Sequence, residues 1–528
     1  MKSNDIHILL ATAAFSFLFY EQWAGFNYFL FNILLIALLL IRDRSLLLSP
    51  AFLAAAAGCV VSSACVFWYG TTLPLVADVI SLILLAGMSM ERGSSFIIAW
   101  FHSLYSLLTA FFYIIFDTFN GINSVDNGEG ARKTMQKVFL AVIPVVIFLV
   151  FFSIYYNGNP IFAKLADRIN FDFISLPRCA FTLCGFILMY GFFRQRIIGV
   201  VRERDHDTPD NLGSISAEEH DQTRIGNVIS VSNLVYTGVL LIILLNLLLA
   251  TVNGLDILYL GILHRIPSGI TFSQYLHNGT DSLILSIVLA VVIILFYFRG
   301  YLNFHEGSRW LRWLAYIWII QNIVLVISTA YRNTVYISDY GLTHRRIGVY
   351  VYLFLCVAGL VTTFIKIKDK KNNWFLFRKN AWIVYSFMIL SCPVDWDSVI
   401  TTFNINQFQY NKTMEIDQRY LADLGYTNLA QIFDYYIVRG QSLHAQTDSM
   451  TEMPTGRMSM ESERRIRYTD EIRNMIWQKY AWLEHRYAGH SWPSHCMSKS
   501  DNLHVIERMM KEHNIVCPAN YGYAFKNY

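Results

Sequence analysis

Apolar residues form a row of long runs between residues 6 and 390, separated by short polar segments. Runs of about 17–25 residues with few charges are long enough to cross a bilayer as helices. The candidate spans lie at roughly 6–20, 23–41, 47–68, 73–89, 95–116, 138–156, 175–193, 228–252, 282–298, 313–330, 347–365 and 381–392. The pattern therefore predicts an all-α fold, a polytopic helical membrane protein with about 11–12 spans.

The chain changes character after residue 391, where polar residues take over and apolar residues recur at helical spacing. We expect two units: a multi-span transmembrane domain over 1–391 and a helical extracytoplasmic tail domain over 392–528. In the tail, the pattern predicts short helices at 416–424 and 428–438, a loop at 440–460, and a helix over 470–487 capped by Thr469.

Composition supports the membrane assignment. Of 528 residues, 55% are hydrophobic and 15% are charged, whereas a soluble protein carries about 25% charged residues. The net charge of +4 is small and no basic stripe interleaved with aromatics is present, so no nucleic-acid partner is expected.

Lysine and arginine in the loops indicate orientation, because such residues concentrate on the cytoplasmic side. In the second half they cluster in 194–224, 299–312 and 366–379. These segments share one side if every later span crosses, which places the tail outside the cytoplasm. By the same criterion, four early basic residues are also expected on the cytoplasmic side: Lys2, Arg42, Arg44 and Arg92. Twelve crossings cannot satisfy both halves, so one early segment, 73–89 or 6–20, is expected not to cross.

The densest polar stretch among the spans is AYRNTVYISDYGLTHRR, residues 330–346, which we call the knuckle. Its candidate functional or structural residues are Arg332, Tyr336, Asp339, Tyr340, Gly341, Thr343, His344 and Arg346. Gly341 allows a helix to end and turn. We expect Arg332 to pair with Asp339 or with a polar group of another helix. The knuckle is then either a salt-bridged turn at the interface or a site for a lipid headgroup or ligand.

The knuckle pattern AxR…Y…YGLTxxR also resembles the signature of a bacterial family of polytopic membrane proteins, domain of unknown function four-one-seven-three. Three further stretches are similar to that family: FYEQWAGFNYFLF with Gly25 and Asn27, ITFSQYLHNG at 270–279, and SVITTFNI followed by DQRYLADL. Gln274 stands where the family usually has an acidic residue. The resemblance implies a multi-span protein of the bacterial inner membrane with unestablished function, and it supplies no catalytic residue.

Motifs that carry chemistry are missing from the sequence. It contains no HExxH, GxSxG, P-loop or GxGxxG in a strand–helix context. We therefore predict no catalytic, cofactor-binding or metal-binding residues and no cofactor. The tail histidines are expected to be solvated surface side chains. The alternative is a weak metal cluster formed by His490, His495 and Cys496. Cys496 and Cys517 either pair in an oxidising compartment or remain free thiols.

Three function classes remain open. The first is a non-enzymatic envelope assembly, sensing or regulatory component, with membrane lipid and a protein bound through the tail as partners. The second is a small-molecule or lipid transporter, whose polar cavity would be lined by Asn233, Gln321, Asn322 and Arg332. The third is an integral membrane enzyme acting on a lipid-linked substrate through His344 or Asp339. Ionisable residues deep in the spans are scarce, Asp78 being the clearest, which disfavours proton-coupled transport.

Overall fold

In a computed structural model, the structure describes residues 3–123, parts of 144–166, 176–211, 231–262, 272–298, 308–410, 417–440, 460–488 and 492–518. The helices are α1 (Ser3–Phe19), α2 (Phe26–Arg42), α3 (Pro50–Tyr69), α4 (Thr72–Met90), α5 (Phe96–Asn123), α6 (Pro160–Ala166), α7 (Leu176–Phe193), α8 (Gly199–Asp207), α9 (Val231–Asp256), α10 (Phe272–Tyr297), α11 (Ser308–Tyr340), α12 (His344–Lys368), α13 (Asn373–Ser391), α14 (Trp396–Tyr410), α15 (Gln418–Asp423), α16 (Leu429–Phe433), α17 (Met460–Ala488) and α18 (Met497–Glu512).

The predicted all-α polytopic fold is confirmed. Within the described ranges no β-strand forms, and six helices are long and apolar enough to cross a membrane. The pair α13 and α14 makes a seventh if it is counted as one span bent by 65°. Shorter apolar helices, including α1, α2 and α7, pack among them. The total of 11–12 spans and the division at residue 391 remain predictions, and part of the 138–156 candidate span lies outside the described residues.

The α1–α2 hairpin is held together by Asn27. Its side-chain oxygen accepts from the Gly25 N–H at 2.9 Å, and its amide donates to the carbonyls of Leu18 at 3.0 Å and Trp23 at 2.9 Å. These bonds satisfy backbone groups that the turn between the helices would otherwise leave open. A Cβ at Gly25 would lie 2.4 Å from the carbonyl oxygen of His495, so only glycine fits there.

The loops of the membrane unit meet the tail at one end of the helix bundle, which we call the tail end. The Phe26 N–H donates to the His495 carbonyl at 2.9 Å, and the Trp23 N–H donates to Ser494 Oγ at 2.9 Å. The thiol of Cys496 lies 3.5 Å from the carbonyl of Trp68, near the end of α3. The tail is thus packed directly onto the two N-terminal hairpins.

Basic residues of both halves of the chain gather at the opposite end, which we call the basic end. Arg42 donates to the Phe193 carbonyl at 3.1 Å, and Arg202 pairs with Glu91 at 3.0 Å. Arg378 bonds to Asp210 at 2.7 Å. The basic residues of the first and second halves of the chain therefore lie at the same end of the bundle, as expected if that end is cytoplasmic.

Helix α5 contacts residues of the basic end at two points. Just before this helix, the Ser95 N–H binds Asp205 at 2.7 Å, and Asp117 near its other end pairs with Arg196. Asp117 also lies 3.9 Å from Arg194, which binds Asp5 at the start of α1 at 2.5 Å. Both ends of this stretch of α5 thus contact the basic end. The expectation that 73–89 or 6–20 does not cross stays a prediction; both segments form helices that pack within hairpins.

The tail has a core of its own, formed where α15, α16, α17 and α18 meet. Ile432, Phe433, Ile472, Ile476 and Ile506 are fully buried in it. The two short predicted helices are present as α15 and as α16 with its π-helical continuation Asp434–Val438. Thr469 does not cap a helix: α17 begins at Met460, because the preceding charged segment contains no helix breaker. Most of the predicted 440–460 loop lies outside the described residues.

Candidate functional site

The knuckle is a tight turn between two long helices. Helix α11 ends at Tyr340, and Gly341 follows with φ of 80°, a left-handed conformation that favours glycine. Thr343 then caps α12, since its hydroxyl accepts from the Arg346 N–H at 3.4 Å. The predicted end and turn at Gly341 is confirmed.

Arg346 reaches back across the turn to the end of α11. Its guanidinium donates to the Tyr340 carbonyl at 2.6 Å and stacks over the Tyr336 ring at 4.3 Å. The rings of Tyr336 and Tyr340 are 4.7 Å apart. Arg346 thus satisfies the open carbonyls of the helix terminus and holds the aromatic pair against the turn.

Arg332 pairs with a different helix from the one nearest in sequence. It binds Asp256 at the end of α9, and Ser328 donates to the other oxygen of that carboxylate at 2.6 Å. Both charged residues are buried, with 6% and 5% of their surface exposed. Of the two expected partnerships, that with another helix is confirmed. The pairing with Asp339 was wrong, because Asp339 faces outward at the end of α11.

The backbone of the turn is held by residues of the C-terminal third of the chain. Asn404 on α14 accepts from the Leu342 N–H at 2.6 Å and donates to the Leu342 carbonyl at 2.9 Å. Tyr420 accepts from the His344 N–H at 2.8 Å, and burial raises the pKa of its phenol. Two of the stretches that carry the family resemblance therefore touch each other. The resemblance identifies both stretches in the sequence, but nothing in the sequence indicates that they are in contact.

His344 and Asp397 form a hydrogen-bonded pair beside this turn. His344 Nε2 lies 2.7 Å from one oxygen of Asp397, and the Gly425 N–H of the tail donates to the other oxygen at 2.9 Å. The Asp397 side chain is 11% exposed, whereas that of His344 is 50% exposed. Neighbouring Asp395 has a different role: it caps α14 by accepting from the Ser398 N–H at 3.2 Å.

A groove of about 600 Å³ opens next to this pair. Its walls are mainly apolar, with polar groups gathered towards the tail end; Thr71, His344, Val351, Phe387, Ser391 and Asp397 are among its lining residues. A second apolar cavity, of about 530 Å³, lies further along α13 towards the basic end and contains Tyr385 in its wall. The two share Val384 and Met388, so together they follow α13.

Two of the residues predicted to line a transport cavity, Gln321 and Asn322, make hydrogen bonds across helices or within their own helix. Gln321 donates to Asn246 at 3.0 Å, and Asn253 donates to the Gln321 carbonyl at 3.0 Å. Asn322 donates to a carbonyl of its own helix. Neither α13 cavity is lined by these side chains.

The tail cysteines are free thiols, and the described residues contain no group of three potential metal-ligating side chains. Cys496 is buried against α3, and burial raises the pKa of its thiol. His490 lies outside the described residues, and so do the side chains around Gln274.

The apolar helices, the basic end and the docked tail define a multi-pass all-α membrane protein. The chain belongs to the family described as Domain of unknown function (DUF4153), which matches residues 6–435. No curated protein and no solved structure matches the chain. The match covers the knuckle, α14 and the first tail helices, so the contacts around Leu342, Asn404 and Tyr420 all fall inside it.

Proposed function

We propose that the protein is a non-enzymatic regulatory or assembly component of the bacterial cytoplasmic (inner) membrane that responds to bound lipid. In this proposal the apolar chain of a membrane lipid lies in the groove along α13, and its headgroup lies at His344. The tail carries the response to a protein partner. The bacterial inner-membrane location is supported by the family resemblance and by the distribution of basic residues.

One observation carries the proposal: the Asp397 carboxylate binds the groove-lining His344 with one oxygen and the tail amide of Gly425 with the other. A ligand that moves or fixes the imidazole therefore acts on a group that also holds the tail. The carboxylate is nearly buried, where such hydrogen bonds are stronger than in water.

The groove suits a lipid chain for two reasons. Its volume is within the range of about 300–1,000 Å³ typical of small-ligand sites. Its apolar wall is interrupted by polar groups near the tail end, where a headgroup would meet water. An amphipathic ligand matches this division, because its apolar part avoids water while its polar part keeps hydrogen bonds.

Gly348 allows the groove to be filled in a controlled way. It lines the groove, and a Cβ built there meets no atom within 4 Å. Gly359 on the same helix is equally open and is not among the lining residues, so it provides a matched control. Gly348→Leu should fold normally and lose bound lipid, whereas Gly359→Leu should fold normally and keep it.

Native mass spectrometry of purified protein with added phosphatidylethanolamine or phosphatidylglycerol measures this binding. His344→Ala should weaken retention of lipid, and the exposed tail variant His504→Ala should not. Equal lipid retention by the Gly348 and Gly359 variants would place the lipid elsewhere and refute the proposal.

The His344–Asp397 pair also favours a second candidate, an enzyme acting on a lipid-linked substrate. A carboxylate that orients a half-exposed imidazole is a common arrangement for general acid–base catalysis. Incubation with a lipid-linked substrate, followed by mass analysis of the products, tests it: turnover must disappear in both His344→Ala and Asp397→Asn. Absence of turnover by the unmodified protein leaves the non-enzymatic proposal.

A further inference from the structure

A fully buried carboxylate, Asp78 on α4, lies between α2 and α3. One of its oxygens accepts from the Asn32 side-chain amide at 2.6 Å and from the Ser62 hydroxyl at 2.8 Å. The same Asn32 amide donates to the carbonyl of Cys59 at 3.1 Å. Asn32 and Ser62 are also fully buried, so three helices bring polar groups to one point in an apolar surrounding.

This cluster contains a carboxyl group without a positively charged side chain beside it. Among the residues that the structure describes, no lysine, arginine or histidine pairs with Asp78. The second Asp78 oxygen and the Asn32 side-chain oxygen receive no hydrogen bond, although both are buried. An isolated carboxylate is very costly to bury, and an orphaned polar atom adds to that cost.

We propose that Asp78, Asn32, Ser62 and the carbonyl of Cys59 bind a small monovalent cation such as sodium. Oxygen atoms from a carboxylate, an amide, a hydroxyl and a backbone carbonyl are the ligands that hard cations take. A single carboxylate balances a single positive charge. Turning the Asn32 amide over brings its unpartnered oxygen to the position from which its nitrogen now donates to Asp78 and to the Cys59 carbonyl.

Tyr385 connects this site to the α13 cavities. Its hydroxyl donates to Ser81 Oγ at 2.9 Å, one helical turn after Asp78, and its ring forms part of the wall of the second cavity. A Cβ at Gly58 would lie 1.8 Å from the Tyr385 hydroxyl oxygen, so the tip of the tyrosine rests against α3 beside Cys59.

The proposal is tested by thermal unfolding of the purified full-length protein in detergent. Sodium, potassium and choline chlorides are compared at constant ionic strength. A cation that binds only the folded state raises the Tm as its concentration rises. We expect a rise of about 3 °C or more from choline to sodium, saturating with concentration. Asp78→Asn should abolish the rise, whereas Thr329→Val, a buried change on α11 away from the cluster, should keep it.

If Asp78→Asn does not fold, Ser62→Ala supplies the second test, because it removes one neutral ligand and should raise the sodium concentration needed for the half-maximal shift. Equal Tm values for the unmodified protein in sodium, potassium and choline would overturn the proposal and leave a proton to neutralise Asp78. A sodium response that persists in Asp78→Asn would overturn it as well.

Discussion

Asn404 binds both backbone polar groups of Leu342: its side-chain oxygen accepts from the Leu342 N–H at 2.6 Å, and its side-chain amide donates to the Leu342 carbonyl at 2.9 Å. Leu342 follows the left-handed Gly341, where the α11–α12 turn leaves backbone groups without helical partners. A single side chain on α14 therefore completes the turn and connects the membrane helices to the segment that leads into the tail.

Asn404→Ala should destabilise the protein by about 1–3 kcal/mol, because it leaves the N–H and carbonyl of Leu342 unsatisfied. The measurement is the Tm of the purified protein in detergent. Asn406→Ala is the matched control, since Asn406 is exposed on the same helix. Similar Tm values for the two variants would show that the turn does not depend on Asn404.

Arg332→Ala should lower the yield of folded, monodisperse protein severely. Removing one partner of a buried ion pair typically costs about 3–5 kcal/mol, and the buried Asp256 would lose its bond to the Arg332 guanidinium. Arg345→Ala, at an exposed position of the knuckle, should have little effect, as should His504→Ala and His513→Ala in the tail. Detergent extraction followed by size-exclusion chromatography compares the four variants. A normal profile for Arg332→Ala beside damaged histidine variants would move the critical region to the tail.

The basic end should lose stability in acid through Asp205. Burial alone would raise the pKa of this carboxyl, but hydrogen bonds from the Ser95 N–H, Trp374 and Arg378 more than offset it, and the pKa is lowered. A lowered folded pKa gives stability that is present above the unfolded value of about 3.9 and is lost as the pH falls through the folded value.

Asp205→Asn should therefore lower the Tm at pH 7, and its difference from the unmodified protein should shrink below about pH 4. The exposed Asp501→Asn serves as the control and should show no such convergence. A constant difference between the Asp205 variant and the unmodified protein across the pH range would contradict this assignment.

The tail should lie outside the cytoplasm, because basic residues of both halves gather at the opposite end of the bundle. A reporter that is active only outside the cytoplasm should be active when fused after Tyr528. Activity of a reporter that works only in the cytoplasm, fused at the same position, would reverse the orientation.

The sequence predicts the helical class and the turn at Gly341 because both are local: apolar run length identifies helices, and a glycine followed by a capping threonine identifies the turn. The sequence pattern could not predict the partner of Arg332, because Asp256 lies 76 residues away and periodicity relates only residues on the same helix. The same limit applies to His344 and Asp397, which are 53 residues apart and belong to different helices. The groove beside this pair forms only where α12 and α13 pack against each other.

Hydrogen exchange at Gly425 tests most directly whether the groove and the tail communicate. The Gly425 N–H donates to Asp397, so its exchange rate reports on that bond. Adding phosphatidylglycerol should slow exchange in the peptide containing Gly425 in the unmodified protein, and it should have no effect there in Asp397→Asn or in the groove-filled Gly348→Leu. Unchanged exchange in the unmodified protein while lipid is bound, or equal slowing in all three proteins, would contradict the proposed coupling.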